Sequence, residues 1–192
     1  MTFLILGLVL FLGIHSVRIF AAGFRTRQVA RFGANGWKAI FTIVALAGFA
    51  LIVWGFGMAR TQPVLLYVPP LWLKHLNAAF TLPAMVLIAA AYVPRNHLKA
   101  WIGHPMLAGV KLWAMGHLLA TGYLHDVVLF GGFLLWAIVD FAACRRRDRR
   151  QGAVQAGGTL AGNIATLVAG LVLWAAFAFF AHVWLIGRQP LP

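Results

Sequence analysis

Six long apolar runs are the feature that most limits how this chain can fold. A helix needs roughly 20 apolar residues to cross the hydrocarbon core of a bilayer. Transmembrane barrel strands alternate apolar with polar residues, whereas these runs are apolar throughout. The sequence therefore predicts an all-α, polytopic membrane helix bundle with six transmembrane helices, at approximately Phe3–Ala22, Ala39–Met58, Leu71–Val93, Pro105–Thr121, Val127–Ala143 and Leu160–Ile186.

The composition excludes a soluble globular domain. Of 192 residues, 62% are hydrophobic and only 10% are charged, whereas a soluble domain carries about 25% charged residues. Three acids, Asp126, Asp140 and Asp148, face sixteen Lys and Arg. This excess does not indicate nucleic-acid binding, because the basic residues lie in short gaps between apolar runs rather than on a soluble module. The single Cys144 excludes an intramolecular disulfide. We expect residues 1–192 to form one integral membrane domain in a lipid bilayer.

The basic residues predict the orientation of the spans. Most of them fall in the first, third and fifth gaps between runs, and positive loops stay on the cytoplasmic side. Both termini should therefore face away from the cytoplasm. The first run should remain as a span rather than a cleaved signal peptide, because Met1-Thr2-Phe3 lacks a basic side chain. Pro83 lies inside the third run and should kink it.

Ionisable side chains at membrane depth are costly and are candidates for function. On the cytoplasmic half lie His15, Arg18, His104, Lys111 and Asp140. His15 shares a helix face with Arg18, as His104 does with Lys111, because of their spacing along the chain. Arg18 either forms a structural ion pair with Asp140 or, together with Lys111, neutralises an anionic group such as a haem propionate.

A second group of polar residues lies on the outer half: His75, His117, His125, Asp126 and His182. Each histidine can be interfacial, with its ring reaching toward water. Several imidazoles from different helices can also bind zinc, copper or iron, although their spacing forms no compact metal motif. Both interpretations stay open from the residues alone.

Histidines on separate apolar helices also suit haem, whose iron takes an axial imidazole on each face. The simpler interpretation is that a membrane histidine forms hydrogen bonds between helices. Composition and spacing do not separate these two possibilities.

Three segments resemble the NnrU family of membrane proteins: residues 12–18 (LGIHSVR), 104–109 (HPMLAG) and 112–122 (LWAMGHLLATG). The closing Leu135-Trp136-Ala137 before Asp140 fits the same pattern. The resemblance covers most of the chain, and its specific part is the block from His104 to Leu118.

The resemblance implies an association with nitrite and nitric oxide reduction in denitrifying bacteria. The family is also similar to the plastid zeta-carotene isomerase, a membrane enzyme whose b-type haem is held by two histidines. The matching positions here are His15 and His117, while Ala114 stands where that enzyme has a cysteine. His104 is the alternative partner, because it lies about 20 Å from His117 along a helix and matches the depth of His15 better.

The first functional hypothesis is accordingly a haem-b protein that serves nitrogen-oxide reduction, as a redox or isomerase-like protein or an accessory. An isomerase-like role would require an apolar small-molecule substrate, and a redox role would require a redox partner. The sequence identifies neither of these and assigns no catalytic residue. The alternatives are a proton- or metal-handling membrane transporter and a structural membrane subunit.

Overall fold

The computed structural model describes residues 1–153 and 156–187, and their regular secondary structure is helical apart from an isolated β-bridge between Leu65 and Tyr123. The all-α class is therefore confirmed. A π-helical turn at Phe177–Ala181 separates the last two helices. The α-helices are α1 Thr2–Phe20, α2 Ala22–Ala59, α3 Leu71–Tyr92, α4 His97–Ile102, α5 Pro105–Ala120, α6 Leu124–Gln151, α7 Leu160–Ala176 and α8 His182–Ile186.

Five helical stretches in the described part of the chain are long and apolar enough to cross a membrane: Thr2–Phe20, Ala22–Ala59, Leu71–Tyr92, Leu124–Gln151 and Leu160–Ile186. The other predicted span corresponds to α5, which has 16 residues. Such a helix is about 24 Å long, less than the roughly 30 Å of a bilayer core. A multi-pass membrane protein is supported, and the sixth span and the orientation of the termini stay predictions.

Residue contacts divide the chain into two compact units. The first unit comprises Met1–Leu66 and Tyr123–Gly132, and the second comprises Tyr67–Gly122 and Phe133–Pro192. Helix α6 begins in the first unit and continues into the second.

In the first unit, α1 and α2 form an antiparallel hairpin with closely approaching backbones. A Cβ added to Gly7 would lie 2.5 Å from the backbone nitrogen of Ile52, and one added to Gly48 would lie 2.7 Å from that of Phe11. Small residues allow this approach, which is how helices pack where lipid removes the hydrophobic driving force. Glycine therefore sets the distance between the two helices.

Two predicted loops are helical instead, which corrects the sequence interpretation. Residues 22–32 begin α2, and the helix breaks only at Gly33, whose φ of 72° and ψ of 169° are not helical. At the other end of the chain, α6 continues past Ala143 to Gln151. Both segments are rich in arginine and free of proline, and arginine is a good helix former. The arginines indicate where the chain leaves the membrane, but they do not end the helix there.

In the second unit, α3 contacts both α5 and α7. A Cβ on Gly109 would lie 2.8 Å from the Ala84 carbonyl oxygen, and one on Gly170 would lie 2.5 Å from Val86 Cα. The Trp174 indole N–H donates to Thr81 Oγ1 over 3.1 Å. Helix α3 continues through Pro83 to Tyr92. These contacts place α3 between two partners and position the polar residues described next.

Candidate functional site

His117 lies near the end of α5, and its ring has a defined tautomer. Its Nδ1 is 2.8 Å from the carbonyl oxygen of Trp113, one turn earlier. A carbonyl oxygen only accepts, so Nδ1 carries the proton and Nε2 carries the lone pair. The Trp113 ring lies 5.2 Å from the His117 ring and 5.7 Å from Phe133. His117 therefore lies in aromatic surroundings, with its Nδ1–H held by the backbone and Nε2 on the opposite side of the ring.

Asn77 of α3 is packed against the residue that precedes His117. Its side-chain oxygen is buried and has no hydrogen-bond partner within the described residues, and the residue is 9% exposed. A Cβ on Gly116 would lie 2.5 Å from this oxygen. Burying a carbonyl oxygen without a donor costs about 1–3 kcal/mol. The position next to His117 can thus accept a hydrogen bond from a further group.

His182 reaches the same part of the second unit because of the π-helical turn. In a regular α-helix position 182 would lie roughly 80° around the axis from Trp174. A π turn takes up about one extra residue, which brings His182 back to within roughly 20° of Trp174. His182 is half-buried whereas residues 183–186 are exposed. Its ring interacts electrostatically with His117.

His15 in the first unit shows the same local arrangement as His117. Its Nδ1 is 2.6 Å from the carbonyl oxygen of Phe11, one turn earlier in α1. Nδ1 therefore carries a proton here as well, and in the neutral ring the lone pair is on Nε2. The rings of Phe11 and Phe41 lie 4.3 Å and 4.9 Å from the imidazole. The sequence did not reveal that both histidines share one tautomer.

His104 differs from these two histidines. Its Nε2 lies 2.8 Å from Oδ2 of Asp148, and both side chains are partly buried. The ring also meets Phe141 edge to face at 6.3 Å. Nε2 of His104 is therefore hydrogen-bonded to a carboxylate. Sequence reasoning missed Asp148, because its place depends on α6 continuing beyond the predicted span.

The predicted cationic residues lie in different units. Lys111 of the second unit is half-buried, with its Nζ 3.7 Å from the centroid of the Phe141 ring. Arg18 of the first unit is exposed in the last turn of α1, where a positive charge suits the helix dipole. Asp140 belongs to the second unit, where Cys144 Sγ donates to it at 3.5 Å. The pairing of Arg18 with Asp140 stays a prediction.

The outer-half residues do not form a metal cluster within residues 1–153 and 156–187, where no three His, Cys, Asp or Glu side chains could hold one ion. His125 and Asp126 are buried together, with Nε2 and Oδ1 3.7 Å apart. The His125 ring stacks on Tyr123 and meets Phe56 edge to face. His75 is exposed on α3.

Comparison with known proteins gives one match. A family model described as NnrU protein matches residues 3–190, a range that includes every histidine discussed above. No curated protein and no solved structure matches the chain significantly.

Proposed function

The chain belongs to the NnrU family, and from that premise we propose that it binds a b-type haem in the bacterial inner membrane. The proposed axial ligands are His117 and His15. The proposed role is in nitrite and nitric oxide reduction. The family match and the helices themselves support an NnrU-family protein with several helices that are long and apolar enough to span a membrane.

One observation carries the proposal: both histidines donate from Nδ1 to the backbone carbonyl one turn earlier. An axial ligand must be a neutral imidazole with a lone pair on the coordinating nitrogen. A hydrogen bond from the other ring nitrogen fixes that tautomer and makes the ligand more basic. In the proposal, Nε2 of each imidazole would be the atom that coordinates the iron.

The surroundings of the two rings also fit a porphyrin. Trp113 flanks His117, and Phe11 and Phe41 flank His15; apolar and aromatic side chains are what bury a haem. His104 fits less well, because its Nε2 is bonded to Asp148. A bound haem would supply one-electron transfer or a binding position for a small nitrogen oxide. The chain itself supplies ligands, burial and the exclusion of water.

Lys111 and Arg18 are the proposed partners of the haem propionates. The Lys111 ammonium is held over the Phe141 ring, and Arg18 forms no ion pair within the described residues. A cation beside a propionate favours the reduced haem, so its removal should lower the midpoint potential. Arg18→Leu and Lys111→Met should each shift the potential downward, as measured by redox titration. Unchanged potentials would remove these residues from the site.

The proposed topology has six spans, with α5 as a short one and both termini outside the cytoplasm. The positive loops of the sequence support this arrangement. Reporter fusions after Ala59 and after Ala120 would test it. Both should report the non-cytoplasmic side, and opposite results at the two sites would show that α5 does not cross.

The haem itself is tested by measuring haem content per protein in purified wild type and in histidine variants. His117→Ala and His15→Ala should each lose most of the haem. His104→Ala should keep it, and so should His75→Ala, the matched control on an exposed position of α3. A colourless wild-type protein from haem-replete cells would contradict the proposal. It would favour a proton- or metal-handling transporter or a structural subunit.

A further inference from the structure

Residues 22–32 form a short helical segment that we term the basic arm. It starts directly after α1, which ends at Phe20, and it stops at the backbone break of Gly33. Beyond the break, Trp37 is buried and its ring lies 6.4 Å from that of Phe24. The arm therefore contacts the part of α2 that follows Gly33, and a membrane span is attached at each of its ends.

The arm carries positive charge that has no ion-pair partner in the described part of the chain. Arg25, Arg27 and Arg31 are exposed and form no ion pair within the described residues. The first acidic residue of the sequence is Asp126, which is 6% exposed and lies beside His125 in the first unit. The natural complement of the arm is thus an anion from outside the chain.

Exposed aromatic rings lie among these arginines. Phe24 and Phe32 are 44% and 48% exposed, and the Arg31 guanidinium carbon lies 5.1 Å from the centre of the Phe32 ring. Exposed phenyl rings are costly in water but favourable at the boundary between headgroups and acyl chains. Since both ends of the arm join spans, the arm is confined to the membrane surface. This confinement favours a lipid over an acidic protein.

We propose that the basic arm is a binding surface for anionic phospholipids, in which Arg25, Arg27 and Arg31 contact headgroup phosphates and Phe24 and Phe32 enter the acyl boundary. This proposal does not depend on haem binding. Positive loops also set topology, but topology alone requires neither the helical arm nor its exposed phenyl rings. Anionic lipid should bind the arm and stabilise the first unit.

The test compares thermal unfolding of the detergent-purified full chain after addition of phosphatidylglycerol or phosphatidylcholine of equal chain length. The arm variant is R25Q/R27Q/R31Q, and the control R146Q/R149Q/R150Q removes three exposed arginines from the end of α6. Basic residues near an anionic surface each contribute several-fold to binding. Phosphatidylglycerol should stabilise wild type and the control, and the arm variant should need at least about tenfold more of this lipid for the same shift.

A second variant, F24S/F32S, keeps the charges and guards against misinsertion of the arginine variant. It should also need more phosphatidylglycerol than wild type for the same shift. Equal stabilisation of wild type and both arm variants would overturn the proposal. So would equal stabilisation by phosphatidylcholine, or by inorganic phosphate at the same concentration, since the latter would indicate a simple anion site.

Discussion

Nε2 of His104 lies 2.8 Å from Oδ2 of Asp148, a contact that joins the start of α5 to the arginine-rich end of α6 within the second unit. The proline after His104 begins the helix, where its missing N–H costs nothing. The contact accounts for the histidine at this position without any cofactor. His117 differs from His104, because its hydrogen bond to the backbone is made by Nδ1 and not by Nε2.

Loss of the His104–Asp148 contact should weaken the second unit without affecting haem. Asp148→Asn should lower the free energy of unfolding by about 1 kcal/mol, because the pair is charge-assisted but partly exposed. Denaturant unfolding in detergent measures this change. Arg149→Gln, at the exposed neighbouring position, should be neutral, and equal losses in the two variants would assign the effect to helix α6 in general.

Close packing of α1 on α2 predicts a sharp difference between two glycines of α1. Gly7→Ala should destabilise the protein by about 2 kcal/mol, because its Cβ would lie 2.5 Å from the backbone of Ile52. Gly13 has no atom within 4 Å of its Cβ position, so Gly13→Ala should be neutral or stabilise by up to about 1 kcal/mol. Unfolding in detergent compares the two. Similar effects at both positions would contradict the described hairpin.

Gly116 should be intolerant of a side chain because of Asn77. The Cβ of Gly116→Ala would lie 2.5 Å from Asn77 Oδ1 and 2.8 Å from Phe80 Cβ, so α3 and α5 must separate beside His117. Haem content should fall, and stability should fall by about 1–3 kcal/mol. The second change Asn77→Ala should restore part of the loss. Gly131→Ala is the control, since that position is open, and an equal loss there would refute the explanation.

Asn163 should matter for the attachment of α4 to α7. Its Oδ1 accepts from the His97 backbone N–H at 2.9 Å, and its Nδ2 donates to His97 Nδ1 at 2.8 Å. Asn163→Leu should cost about 2 kcal/mol, as two hydrogen bonds are lost and the His97 groups lose their partners. Unfolding of the conservative variant Ile164→Leu, at an exposed apolar position, should match wild type. A neutral Asn163→Leu would contradict the contact.

Much of the helical architecture follows from the sequence. The apolar run predicted the third span to within one residue, and Leu160 was identified as the start of the last span. The helical basic arm and the extension of α6 were not predicted. The charge pattern indicates where the chain leaves the membrane, but it does not indicate whether the chain is helical there. The contact of His104 with Asp148 depends on that extension, so periodicity alone did not reveal it.

Within the candidate site, His15 and His117 are predicted from the resemblance to a family motif and not from their spacing. Their tautomers depend on side-chain rotation toward the carbonyl one turn earlier, which spacing does not encode. The sequence did not indicate Asn77 as a site residue, because its importance depends on its contact with Gly116 of another helix. The position of His182 depends on the π turn, which no residue pattern predicted.

The central claim is axial ligation of a haem by His15 and His117, and electron paramagnetic resonance of the purified ferric protein tests it most directly. Two imidazole ligands predict a low-spin ferric signal in wild type and in His104→Ala. Removal of either His15 or His117 should convert the remaining haem to a high-spin signal. A wild-type protein without haem, or a low-spin signal unchanged by both substitutions, would contradict the account.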